Sequence, residues 1–331
     1  MSTWAEPIPG GLSSGSLSRL RESQRMRRGL AVGSILVTAG LAVVAARHFA
    51  STPWPLSGGQ PGLLVAAGLL LLLAQGLKAL GWGRLFRGAE RPSMLALAAG
   101  NGGAALVGVV LPGRFDDATR VAVVRRYPRC PAGVRVLCLS LVMLGLIDSV
   151  ALAPLALAGA VIPGTGLAAR AGLAVVAAGG LAATAVIVAL PRLVTMKAVL
   201  RFRLGRWMRP RTTSLRAASQ ALAFVGGCWL VRALAVFLLL GGLGVGFSLP
   251  RTLLFICAGA AAAALPIGPA GAATQVGASG ASLVAAGVGT APAFGAALSM
   301  GALGVLSGTF IMVLAVAWTS AAALARRRRP A

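Results

Sequence analysis

The stretch TLLFICAGAAAAALPIGPAGAATQVGASGASLVAAGVG, residues Thr252 to Gly289, contains no charged side chain. As one helix it would run about 57 Å at ~1.5 Å per residue, against roughly 30 Å of bilayer hydrocarbon. It must fold back on itself, and the break is Pro266-Ile267-Gly268-Pro269-Ala270-Gly271. A membrane hairpin is the result.

The rest of the chain reads the same way. It is 57% hydrophobic over 331 residues, with a mean hydropathy of +0.87. Apolar runs at Gly29–Ala46, Gly62–Leu80, Val136–Ile162, Ala171–Leu190, Ser219–Gly242 and Ala293–Leu324 are each long enough to cross a bilayer. The expected fold is an all-α polytopic integral membrane protein with about six full transmembrane helices. Residues 1–28 read as a disordered basic cytoplasmic arm, 29–324 as the transmembrane domain and 325–331 as a basic cytoplasmic tail. The basic region before Gly29 is long for a signal peptide, which favours an uncleaved first helix.

The net charge of +25 comes from 29 Arg and 2 Lys against 6 acids. In a soluble chain it would suggest nucleic acid. Here the positive charges fall between apolar segments and at both ends, where topology places them, so no nucleic-acid partner is expected. Cys130, Cys138, Cys228 and Cys257 show no CxxC spacing, and neither a metal site nor a cofactor is expected.

Basic loops orient the spans. The second span is followed by Lys78, Arg84, Arg87 and Arg91, whereas Phe49–Gln60 carries no formal charge and is expected outside, with His48 as a solvated residue beside it. Eight positive charges between Arg192 and Arg216 (Arg192, Lys197, Arg201, Arg203, Arg206, Arg209, Arg211, Arg216) demand a cytoplasmic loop. If Met94–Leu111 crossed fully, the six Arg from Arg114 to Arg135 would lie outside. A re-entrant element there keeps every strongly basic loop, and both termini, on the cytoplasmic side.

Two broken hairpins entering from opposite faces suggest an inverted repeat, and such breaks in corresponding halves point to a transport site near the midplane. Small residues recur every four positions at Gly100, Ala104, Gly108 and Pro112, and again at Ala273, Gly277, Ala281, Ala285 and Gly289. Each series is a smooth stripe on which another helix can pack.

Two of the six acids sit in Pro112-Gly113-Arg114-Phe115-Asp116-Asp117-Ala118-Thr119-Arg120. If a helix begins after Gly113, Asp116 and Asp117 both reach Arg120, at i,i+4 and i,i+3. Internal pairing lowers the cost of holding these charges below the headgroups, and the free N–H groups of a helix start suit a lipid phosphate. The alternative is an interfacial anchor with Phe115, Val121, Val124 and Tyr127 against lipid. Asp148 and Arg232, each the sole charge of its expected span, are the other intramembrane ionisable residues; they either pair structurally or serve a proton or substrate role.

Asn101, the segment Leu111-Pro112-Gly113-Arg114 with Asp117 and Arg120, and the later Leu265-Pro266-Ile267-Gly268-Pro269-Ala270-Gly271 resemble the two hallmark segments of the lysylphosphatidylglycerol synthase transmembrane, or flippase-like, family. Asp116 stands where that family usually has Gly. In the second segment Ala270 and Ala273 replace glycines, and Gln275 is the nearest polar substitute for an acid. Asp148 falls where the family often carries an acid.

The resemblance implies a stand-alone member, without the synthase domain, that translocates lipid. Its expected substrate is an anionic phospholipid or a polyprenyl-phosphate-linked glycolipid in the cytoplasmic membrane, and no enzyme activity is expected. The residues singled out for binding are Asn101, Pro112, Gly113, Arg114, Asp116, Asp117, Arg120, Asp148, Arg232, Pro266, Pro269, Gly271 and Gln275. A polyprenyl-phosphate-dependent glycosyltransferase is the enzymatic alternative, but Phe49–Gln60 offers no outer carboxylate as base or metal ligand. A non-transporting scaffold that docks an envelope-synthesis enzyme through the Arg-rich loop is the third.

Overall fold

The computed structural model describes residues 58–110, 115–127, 130–162, 166–196, 200–201, 206–207, 214–264 and 271–327. The expected first span, Gly29–Ala46, the N-terminal arm and the residues 111–114 and 265–270 lie outside them.

The chain is an all-α, multi-pass membrane protein. Five described helices are long and apolar enough to cross a membrane. In chain order the helices are α1 (Pro61–Arg84), α2 (Met94–Val110), α3 (Phe115–Arg126), α4 (Val134–Val161), α5 (Leu167–Leu193), α6 (Leu215–Gly242), α7 (Leu249–Ala264), α8 (Gly271–Ala285) and α9 (Thr290–Arg327). A single 3-10 turn, Gly88–Glu90, joins α1 to α2.

Local chemistry explains the ends. Pro61 opens α1, where its missing N–H costs nothing. Ser93 and Ser214 cap α2 and α6, their hydroxyls accepting from the amides of Ala96 and Ala217 at 3.2 Å. In α3 the acids Asp116 and Asp117 lie in the first turn and Arg125 and Arg126 in the last, matching the helix dipole at both ends. Gly244 and Gly287 take left-handed conformations just after α6 and α8, turning the chain sharply at little steric cost.

Because lipid is as apolar as leucine, close approach of backbones, and not expulsion of apolar surface from water, holds such a bundle together. Gly180 of α5 lies so near α4 that a Cβ there would stand 2.5 Å from the Cβ of Ala153 and 2.6 Å from the Ser149 carbonyl. Gly102 of α2 and Gly308 of α9 cross in the same manner, each facing the other's carbonyl. Outward from these contacts, Leu69, Val142, Val175, Leu230 and Val313 are exposed and form the lipid-facing surface.

Helices α1 and α6 are the most extensively packed pair, and they run antiparallel. The Gln60 amide before α1 donates to the Gly242 carbonyl at the end of α6 at 2.9 Å, while Gly81 packs on Ala221 and Val225 far along both helices. Each is followed by a hairpin, α2/α3 after α1 and α7/α8 after α6. The two hairpins therefore enter from opposite ends of the bundle. They also touch, through α2 and α8.

Two details differ from expectation. Met94–Val110 does not turn within itself: it is one continuous 17-residue helix, and the charged segment is its return arm. Contacts of Gly108 with Asp116, Gly103 with Thr119 and Val123, and Gly100 with Val124 set α2 and α3 antiparallel. The stripe that begins at Ala273 is also not a packing face, since Gly277 meets nothing and Ala281 and Ala285 are exposed. The buried face of α8 carries Ser279, Gly280 and Leu283 instead. Ser279 fits against Gly259 and donates to the Phe255 carbonyl at 3.1 Å, a pairing that four-residue spacing does not reveal.

Candidate functional site: two intramembrane charge clusters

The first cluster lies where α3 leaves the break. Gly108, against which Asp116 rests, is 14 residues in from Met94, about 21 Å along the helix. The Arg120 guanidinium pairs with both neighbouring acids, closely with Asp117 Oδ1 and at 3.2 Å with Asp116 Oδ2. The Arg120 side chain is 18% exposed and its Nε is buried with no hydrogen-bond partner.

Asn101, on the facing arm, is 2% exposed, and neither its amide nitrogen nor its carbonyl oxygen has a hydrogen-bond partner. It follows Gly100, which lies under Val124 and the Arg120 carbonyl. Val124 is fully buried there, so it does not face lipid as an interfacial anchor would require. Phe115, by contrast, is exposed. At the far end of the return arm, the Tyr127 hydroxyl donates to the Ala315 carbonyl of α9 at 3.4 Å, and burial pushes its pKa above the ordinary phenol value.

The second cluster ties three spans together. Asp148, midway along α4, accepts from Lys78 Nζ of α1 at 2.8 Å and from the Trp229 indole N–H of α6 at 3.0 Å. Arg232 is not the partner of Asp148: its guanidinium stacks over the Trp229 ring, 5.1 Å from the centroid. One helical turn on along α1 and two turns back along α4, the Trp82 indole donates to Ser140 at 2.9 Å, a second rung between the same helices.

Lys78 had read as one of the basic residues flanking the second span. It stands inside α1, six residues before its end, on the buried row Ala67, Leu71, Ala74, Lys78 and Trp82. That row repeats at i, i+4, i+7, i+11 and i+15, so the signal for an inward lysine was present in the sequence. Trp229 carried no such signal, because its role depends on Asp148, 81 residues away.

Pro112, Gly113, Arg114, Pro266 and Pro269 lie outside the described residues. Gly271 begins α8, and Gln275, one turn on, is exposed. The structure brings Asp116, Asp117 and Arg120 together on α3, and Asp148 and Arg232 together around Trp229. Among the described residues no three His, Cys, Asp or Glu side chains converge to hold a metal ion. Comparison of the chain with protein-family models, curated proteins and solved structures finds no match.

Proposed function

We propose that the protein is a lipid flippase or transporter of the cytoplasmic membrane, moving an anionic phospholipid or a polyprenyl-phosphate-linked glycolipid, with both termini cytoplasmic. The observation that carries this reading is Arg120, held by two carboxylates deep along a broken hairpin and retaining an unfilled donor. Arg120 and its two acids already sum to a net negative charge, so a phosphate reaches the guanidinium in exchange for one of the carboxylates, which hold it while the site is empty. The buried, unpartnered Asn101 on the opposite arm adds a donor and an acceptor for headgroup hydroxyls.

Met312, Val313, Val316 and Ala317 form a shallow, open apolar patch on α9. The Met312 sulfur also flanks Gly103 of α2, so acyl chains meet this patch beside the same hairpin. Two hairpins that enter from opposite ends and touch support this reading, because alternating access in transporters is built around broken helices placed in that way. No covalent step is assigned to these residues. The resemblance of the two broken segments to flippase-like membrane domains supports the same reading.

The test is reconstitution of the full chain in vesicles carrying headgroup-labelled phosphatidylglycerol or a polyprenyl-linked sugar. Arg120→Gln and Asp117→Asn are expected to slow translocation by roughly tenfold or more, the equivalent of ~1.4 kcal/mol of lost headgroup interaction. Undiminished translocation by both folded variants would remove this site from the pathway.

A further inference from the structure

The cluster on α1, α4 and α6 is electrically unbalanced. Lys78 and Arg232 bring two positive charges and Asp148 one negative. Both carboxylate oxygens of Asp148 are already engaged, one by Lys78 and one by Trp229. Arg232 rests on an aromatic ring and pairs with no carboxylate among the described residues. Trp229, which donates to Asp148 and lies under the Arg232 guanidinium, ties all three charges to one point in the bundle.

Arg232 also shares the inward face of α6 with Val225, Cys228, Trp229, Val236 and Leu239. Those five are buried, whereas Arg232 is only part-buried. An uncompensated cation at this depth calls for a counter-anion, and the planar guanidinium fits phosphate oxygens two at a time.

We propose that Arg232, backed by Lys78, is a binding position for a phosphate anion midway along the bundle, separate from the Arg120 cluster. A phosphodiester of charge −1 would bring the cluster to neutrality. Asp148 is then the counter-charge with which an arriving phosphate competes for Lys78, and Trp229 holds Asp148 in place when Lys78 turns away. As a second station on a lipid route the position rests on the transport reading; as a phosphate site it does not.

The experiment is photolabelling of the full chain in phosphatidylcholine nanodiscs, using phosphatidylglycerol with a photoreactive group beside its headgroup, with labelled peptides mapped by mass spectrometry. Label is expected on α6 around Arg232. Arg232→Gln should cut it by about tenfold and Arg232→Lys should fall between that variant and wild type, because the charge remains while the fork is lost. Asp148→Asn should raise labelling several-fold: it frees Lys78 yet keeps an acceptor for the Trp229 N–H. A purely structural cluster gives the opposite sign for that variant, so reduced labelling of Asp148→Asn protein that is still folded at the labelling temperature would overturn the proposal. Unaltered labelling of folded Arg232→Gln would do so equally.

Excess soluble glycerol phosphate distinguishes the two sources of the anion. Loss of label identifies free phosphate as an occupant, and persistence identifies the lipid headgroup. Arg120→Gln should keep the α6 label while losing translocation. Labelling that needs Arg232 in a wild-type protein that translocates nothing would sink the transport reading and leave this site standing.

Discussion

At the residue scale, the two clusters differ in how they are built. Arg120 and its acids are three and four residues apart, so helix geometry alone brings them together, and the pairing was legible before any tertiary structure. Asp148 meets Lys78 and Trp229 across 70 and 81 residues, and no local rule names them. Removing one partner of a largely buried pair strands the other charge, which costs about 3–5 kcal/mol. Lys78→Met is therefore expected to lower the unfolding temperature sharply in detergent. Lys78→Met with Asp148→Leu should recover most of that loss, and a double-mutant cycle on thermal unfolding checks it. Additive losses would mean that the 2.8 Å contact contributes little to stability.

At the scale of elements, glycine positions decide how close helices come, and only some of the sequence's many glycines do so. A Cβ at Gly180 or Gly308 would run into backbone atoms of the facing helix, which cannot turn aside as a side-chain tip can. Gly180→Ala and Gly308→Ala are each expected to cost about 1–3 kcal/mol by forcing α5 from α4 and α9 from α2. Gly226 lies on α6 with nothing near it, so Gly226→Ala should be neutral or stabilising by up to ~1 kcal/mol through helix propensity. Unfolding of the three variants in one detergent compares them directly. The small-residue stripe of α2 coincides with a packing face at Gly100 and Ala104, whereas that of α8 faces away from the core. Spacing alone does not separate the two cases, because alanine is equally at home against lipid and against a helix.

For the molecule as a whole, the antiparallel pairing of α1 and α6 has a consequence for topology. It sets the α2/α3 hairpin and the α7/α8 hairpin at opposite ends, so residues beside one must face the compartment opposite to residues beside the other. Single cysteines at Arg125 and Arg206, introduced after replacement of the four native cysteines, should react with an impermeant maleimide from the same side. A cysteine at Phe247, in the turn between α6 and α7, should react from the other. Labelling of positions 125 and 206 from different sides would dismantle the hairpin arrangement, and the lipid route with it.

Composition and apolar run length were sufficient to determine that the chain is a helical, multi-pass membrane protein, because hydrocarbon admits no other way to satisfy a backbone over so many apolar residues. They also located the two broken segments and the charged motif on α3. Only the tertiary structure decided that this motif is the return arm of a hairpin with Val124 in the core, that Lys78 points inward, and that Asp148 answers to Lys78 and Trp229 while Arg232 stacks on the indole. The physical reason is distance along the chain. Hydropathy and helix spacing act within a few turns, whereas an ion pair in the bilayer is chosen by which helices pack side by side and how far each is rotated.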